Sequence, residues 1–268
     1  MRYVAKRLLS LIPVLLVVSI LVFSLMHLAP GDPASAILGM DATAADLERL
    51  KEELGLNLPL YEQYVRWVVD VLHGDLGRSY FMEESVGQAI AGHFRPTLSL
   101  ALFAELIALV LALPAGVYAA CRRGRPADRI VMLLSLLALA VPSFILGLLL
   151  ILLLGVLLAL FPIGGYAPLE EGLLPHLRYL VLPALALGST QAALIARMTR
   201  AAMAEVLDRN FIRTLVAKGM RGGNVVGVHA LRNALFPILT AVGQSMASLL
   251  SGAIVVETVF NIPGLGQL

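Results

Sequence analysis

"RTLVAKGMRGGNVVGVHALRNALFP", residues 213–237, is a glycine-rich basic stretch that joins two runs of nearly pure hydrocarbon side chains. Those runs, Tyr179–Met198 and Asn233–Val256, are each long enough to cross a hydrocarbon layer of about 30 Å at about 1.5 Å per helical residue. A basic connection between two such runs reads as a loop on one side of a membrane. The rest of the chain agrees with this. Of 268 residues, 59% are hydrophobic and 14% charged, against about 25% charged in an ordinary soluble domain, and the mean hydropathy is +0.87. Three further apolar runs, Leu8–Leu28, Thr97–Ala120 and Ile130–Leu158, complete the expectation of an all-α, polytopic membrane bundle with five spans.

Charge orders these spans. Residues 1–7 carry Arg2, Lys6 and Arg7; residues 121–129 carry four arginines against Asp128; residues 197–232 carry seven Lys/Arg against Glu205 and Asp208. Between them, residues 29–95 hold five Lys/Arg against eleven Asp/Glu, a net of −6, and residues 159–178 hold Arg178 against Glu170 and Glu171. Basic and acidic connections alternate strictly, as five crossings require. Positive short loops stay on the cytoplasmic side, so the N-terminus and the 213–237 stretch are expected there, in a multi-pass membrane protein. The chain then divides into residues 1–95, a first span with an outward-facing segment, and residues 96–268, a core with a cytoplasmic loop at about 201–232. The first apolar run is too long for a signal-peptide core, and the "APGDP" turn separates it from the small residues at Ala34–Ala36, so it is expected to be retained. In the outward segment, Thr43 and Asp46 form a capping-box pattern ahead of Leu47, Leu50 and Leu54. After Pro59, Tyr64, Trp67, Val68 and Val71 repeat at helical spacing, which predicts two amphipathic helices on the membrane surface or packed over the spans.

No set of residues for catalysis emerges, so the chain is not expected to be an enzyme. The single cysteine, Cys121, and five scattered histidines offer no metal site and no disulfide. A formal charge of +2 gives no reason to expect nucleic acid. "AKGMRGG" is not a phosphate-binding loop, because Lys218 precedes Gly219 instead of following a second glycine and leading into Ser or Thr. Ionisable residues inside the spans are nearly limited to Glu105 and Glu257, with His27 near an end. Glu105 lies well inside its span and must be neutral, paired or facing water, which leaves a structural hydrogen bond and a pathway-lining role both open. Glu257 is close to a boundary and reads as solvated. Pro142 and Ser143 predict a kink in the third span, compatible with a pathway wall. Gly243, Ala247 and Ser251 permit close helix approach, either within the chain or at a seam with another one.

The loop itself has an internal plan. "AAMAEVLDRNFIRTLVAK" is helix-forming and is stopped by Gly219, after which a turn and a second short helix lead into Pro237. Phe211, Leu215, Val225 and Val226 beside Arg213, Lys218 and Arg221 make a surface of apolar knobs with a basic rim, suited to docking another protein; the alternative is a basic loop resting on anionic lipid heads.

"FIRTLVAKG" followed by "HALRNALFP" resembles the signature loop of the inner-membrane permease subunits of ABC importers, in the dipeptide, oligopeptide and nickel branch. "AKRLLSLIPVLLVVSILVFSLMHLAPGDPA", "LGLNLPLYEQYVRWVVDVLHGDLGRSY", "VPSFILGLLLIL" and "ETVFNIPGLGQL" extend the resemblance over essentially the whole chain. The resemblance implies a type I importer permease whose loop inserts into a cleft on an ATPase subunit, through Arg213, Thr214, Ala217, Lys218, Gly219, Met220 and Arg221. It implies as partners a homologous permease subunit, two cytoplasmic ATPase subunits, an extracytoplasmic substrate-binding protein and membrane lipid, with no cofactor in this chain, since ATP and magnesium sit on the ATPase. Glu105, Pro142 and Ser143 are the pathway candidates. Cargo would be di- or oligopeptides, with nickel or a nickel chelate, glutathione or an oligosaccharide as alternatives, and a proton-coupled secondary transporter using Glu105 as the alternative class. Three departures stand out. Arg213, Thr214 and Leu215 replace the Glu-Ala-Ala found in permeases generally, and Leu215 is bulkier than this branch's usual alanine. Gly222 and Gly223 weaken the second short helix by about 1 kcal/mol each. The family has six spans and returns to the cytoplasm, whereas this sequence stops at Leu268 just after "NIPGLGQ" and lacks the last of them.

Overall fold

The computed structural model describes residues 6–7, 9–28, 33–38, 43–79, 82 and 84–268; Leu8, where the first span was expected to start, and residues 29–32 of the "APGDP" turn lie outside them. All regular structure in the described residues is helical, and the one extended pairing is an isolated antiparallel bridge between Arg78 and Ser85. The chain divides into two compact units, Met1–Ala89 and Ile90–Leu268.

The first unit contains α1 (Leu11–Leu28), α2 (Pro33–Leu38), α3 (Ala44–Glu53) and α4 (Leu60–Leu72). Thr43 caps α3 as its sequence predicts: its hydroxyl oxygen accepts the Asp46 N–H at 3.2 Å and donates to the Asp46 carboxylate at 2.5 Å. The aromatic face of α4 packs over the first span. Phe23 meets Tyr64 edge-on with ring centroids 5.3 Å apart, Ser19 Oγ and Tyr64 OH are 2.8 Å apart, and His27 Nε2 lies 3.1 Å from Gln63 Oε1.

The second unit is organised around one central helix. Its elements are α5 (Val86–Cys121), which begins just before the unit boundary, α6 (Pro126–Ala140), α7 (Ser143–Leu150) with a π-helical continuation Ile151–Leu157, α8 (Leu173–Leu207), α9 (Asn210–Ala217), α10 (Gly222–Asn224) with a π-helical continuation Val225–Ala230, and α11 (Leu231–Phe260). In α8, 67% of the most apolar window is buried, against 39% in α5, so α8 is the hub. Small residues let it approach α5: a β-carbon on Gly188 would sit 2.6 Å from the Ala104 carbonyl oxygen, and one on Gly116 would sit 2.6 Å from Thr199 Cβ and 2.7 Å from the Ala196 carbonyl oxygen. Ala101, Ala104, Ala108 and Ala112 are all buried along α5. Without a hydrophobic drive between helices in lipid, such close packing carries the association.

The third span departs from expectation. Ile130–Leu158 reads as one kinked span, but α6 and the α7 segment meet at 96° across Val141 and Pro142. The proline ring disfavours helical backbone at the residue before it, and Val141 is extended at φ −93°, ψ 119°. Pro142 is extended as well, at φ −56°, ψ 140°, so two consecutive residues leave the helix and the axis turns. Among the described residues four helices are long and apolar enough to cross a membrane, and there are five spans if the bent pair counts as one. The second short helix of the loop also differs: α10 is one turn long and runs through the π-helical stretch into α11, as the low helix preference of Gly222 and Gly223 allows.

Candidate functional site

The basic loop is built outward from a buried anchor. Ile212 is 6% exposed and joins Met203, Val206, Val225, Ala230 and Ala234 in one apolar cluster, against which Leu215 and Met220 pack. α9 therefore hangs on the core by one face and presents the other. It ends in a Schellman motif: the Met220 N–H donates to the Leu215 carbonyl at 3.2 Å and the Gly219 N–H to the Val216 carbonyl at 2.9 Å. Gly219 sits at φ +78°, as its place after the helix predicts, and nothing lies within 4 Å of where its β-carbon would be. Glycine is needed there for backbone conformation and not for space.

Arg213, Thr214, Val216, Ala217, Lys218, Gly219 and Arg221 are exposed and form one continuous surface with Phe211. Met220 is half-buried and faces the cluster, so of the seven loop residues singled out by sequence it is an anchor of the surface more than part of it. Leu215 faces inward too. Its bulk, a departure from the family pattern, fills the chain's own core.

Ion pairs tie the other basic connection to the same end of α8. Arg200 grips Asp128 with Nε to Oδ1 at 2.9 Å and Nη2 to Oδ2 at 2.8 Å, and the Gly124 N–H also donates to Oδ2 at 2.9 Å. Asp128 is buried, and the two-pronged guanidinium geometry makes this the firm contact. Arg123 meets Asp208 at 2.7 Å and Arg209 meets Glu205 at 2.7 Å, but both pairs are exposed and screened. The sequence offered one signal for this anchor, the lone acid in the 121–129 connection, and charge counting passes over it.

The pathway candidates sit on separate elements. Glu105 is 7% exposed between α5 and α11, where Ser245 Oγ donates to its Oε2 at 2.5 Å and Oε1 is enclosed without a hydrogen-bond partner among the described residues. Pro142 and Ser143 occupy the α6–α7 elbow, Pro142 exposed and Ser143 half-buried. An uncharged face on α11, with Thr240, Gly243, Gln244, Ala247, Ser248 and Ser251, is exposed. Gly243, Ala247 and Ser251 therefore do not form a packing seam within this chain, and Gln191, buried on α8, reaches the edge of that face with Nε2 donating to Ser248 Oγ at 3.2 Å.

Glu257 overturns its sequence reading as a solvated boundary residue. It is fully buried, accepting from Thr97 Oγ1 at 2.6 Å and the Gly266 N–H at 2.8 Å, while the Leu265 N–H donates to Thr97 Oγ1 at 2.9 Å. The carboxylate thus holds the "NIPGLGQ" turn back against the start of α5. A β-carbon on Gly264 would overlap that carboxylate, and one on Gly266 would lie 2.6 Å from Ile254 Cα. At the same end of the unit, burial pushes the Tyr166 phenol above its ordinary range against the hydrogen bond it makes with Ser99, and Tyr166 meets His176 edge-on at 5.5 Å. Among the described residues no group of three metal-ligating side chains converges.

Comparison with known proteins agrees with this architecture. Residues 112–268 match the family described as the inner membrane component of binding-protein-dependent transport systems, and residues 1–101 match the N-terminal region of the same membrane components. The chain is 44% identical over 265 residues to a putative peptide transport system permease protein of Brucella abortus (strain 2308), covering 99% of this chain and 84% of the relative. It is 40% identical over 266 residues to a probable peptide ABC transporter permease of Sinorhizobium fredii, covering 99% and 85%. It is 41% identical over 268 residues to the glutathione transport system permease of Escherichia coli (strain K12), covering 100% and 85%.

Proposed function

Because the chain belongs to the inner membrane components of binding-protein-dependent transport systems, we propose that it forms half of the route by which an ABC importer carries di- or oligopeptides inward. It is a multi-pass inner-membrane transport subunit and not an enzyme. The exposed basic face of α9 docks on an ATPase subunit, with Arg213, Thr214, Ala217, Lys218, Gly219 and Arg221 at the contact and Met220 bracing it from behind. ATP and magnesium are bound by two cytoplasmic ATPase chains. A homologous permease subunit stands across the passage from the uncharged face of α11, and the acidic segment 29–95 faces outward to help seat the substrate-binding protein. The N-terminus is cytoplasmic, together with both basic connections.

One observation carries the coupling assignment: an exposed glycine at φ +78° ends a helix whose inner face is fixed in the core, so the loop is a rigid handle on α8 and α11. Within the passage, Ser143 beside Pro142 at the elbow and the Gln244–Ser248 row of α11 supply uncharged hydrogen-bonding side chains that suit peptide amides of any side-chain composition, with Pro142 setting the bend. Glu105 acts from behind that row, bracing α11 through Ser245. Family membership leaves the proton-coupled reading without support. The likeness to a glutathione permease favours a second cargo, a short peptide of that kind, on the same machinery.

Uptake of a radiolabelled dipeptide into cells carrying the full transporter tests the reading. Uptake should be lost when the ATPase subunits are removed, and unlabelled glutathione in excess separates the two cargoes. Uptake that collapses with an uncoupler at constant ATP and persists without the ATPase chains would overturn it.

A further inference from the structure

A cavity of about 520 Å³ opens at the end of α8 opposite the basic loop. Its construction follows from the π-helical end of the third span. The wider helix places Gly155 under the reversing chain, where a β-carbon would sit 2.6 Å from Ile163 Cγ2, and the Leu158 N–H closes on the Leu153 carbonyl at 3.1 Å. Ala159 then turns the chain at φ +49°, and the Leu160 N–H reaches the Leu154 carbonyl at 2.9 Å. Phe161, Pro162, Leu174 and Tyr179 wall the resulting space.

Two features of this cavity oppose each other. Its surroundings are apolar and open, with Leu157 68% and Leu174 80% exposed. Its mouth holds Arg178, the one cation in residues 159–178. Among the described residues Arg178 makes no ion pair, and its hydrogen bond from Nη2 to the Leu160 carbonyl is a long one at 3.5 Å. A guanidinium with free N–H donors above an apolar slot, at the end of the spans, matches a phosphodiester joined to hydrocarbon chains. The segment also places Tyr179 at that level, as aromatic residues sit at a membrane interface.

We infer that this cavity is a binding site for one membrane phospholipid, with the lipid phosphate on Arg178 and an acyl chain along Leu157 and Leu174. A free phosphate ion would satisfy Arg178 and leave the apolar walls exposed, so the site belongs to the lipid. The inference needs only that the helices cross a membrane and is independent of the ATPase contact.

The test uses the assembled transporter, stripped of lipid in detergent and titrated with phosphatidylglycerol, with retained lipid counted by native mass spectrometry. Wild type should retain one lipid per copy of this chain that is weakened about tenfold by Arg178→Gln, the loss of a charge-assisted contact, and similarly by Leu174→Gln. Both side chains are exposed, so neither change disturbs the fold. Inorganic phosphate added to the same titration should not compete. Wild-type retention in Arg178→Gln would overturn the assignment, as would competition by inorganic phosphate, which makes the site a free-anion site. So would loss of dipeptide uptake in Arg178→Gln at unchanged lipid retention, which assigns the cavity to cargo.

Discussion

Gly219 and Gly264 require glycine for opposite reasons. Around Gly219 there is open space, and the demand is its φ of +78°; at Gly264 the backbone is ordinary, and the demand is the Glu257 carboxylate lying where a side chain would start. Gly219→Val should cost about 1–2 kcal/mol locally, since a β-branched residue is a steric outlier in the left-handed region. Insertion and expression should hold while ATPase stimulation by the loaded binding protein falls together with uptake. Gly219→Asn, which tolerates that conformation, should keep most of both activities, and equal loss in the two variants would contradict a conformational cause. Glu257→Ala leaves the Gly266 N–H without its acceptor, at about 1–3 kcal/mol for a buried donor left unpaired, and leaves the Thr97 hydroxyl only the longer bond to the His93 carbonyl at 3.3 Å. A lower melting temperature of the purified transporter is the expected result, and an unchanged one would show that the turn is not held by this group. Gly219 was legible from sequence because a helix stop is a local signal. Glu257 was not, because hydropathy gives depth in the membrane and says nothing of a turn folding back; the glycine pair at 264 and 266 was the available clue.

At the scale of elements, small-residue spacing identifies faces that can pack closely without identifying what they pack against. Gly243, Ala247 and Ser251 carry that spacing and are exposed in this chain, while the α5–α8 contact rests on Gly116, Gly188 and the buried alanines of α5, whose regularity is hidden inside a uniformly apolar run. Gly116→Leu should disrupt that contact, because the obstructing atoms include the Ala196 carbonyl oxygen, which cannot rotate aside. Overpacking of this kind costs about 1–3 kcal/mol, and reduced yield of folded transporter by size-exclusion chromatography is the readout, an unchanged yield counting against the contact. The elbow was half legible: Pro142 announced a bend, but a 96° turn needs Val141 to leave the helix as well. Pro142→Ala restores an N–H and frees Val141 to become helical. Spin labels at Leu134 and Leu149 should then move apart by electron–electron resonance, and an unchanged distance distribution would assign the bend to packing instead of proline.

For the molecule as a whole, alternation of charge along the chain predicts which connections share a side, and Arg200 with Asp128 ties the 121–129 connection to the end of α8 from which the basic loop begins. That end is where an ATPase must act if closure of its cleft is to move α8 and α11 through the anchor at Ile212. A cysteine placed at Glu48 should react with an impermeant thiol reagent in intact cells and one at Lys218 only after lysis, in a background with the exposed native Cys121 replaced. The reverse pattern would invert the topology. The most direct measurement is cross-linking from Lys218→Cys in the assembled transporter, in that same background. The account predicts an adduct with an ATPase chain that forms in the assembled complex and changes in yield when nucleotide is bound; absence of any ATPase adduct, with an adduct to lipid headgroup reagents in its place, would contradict it.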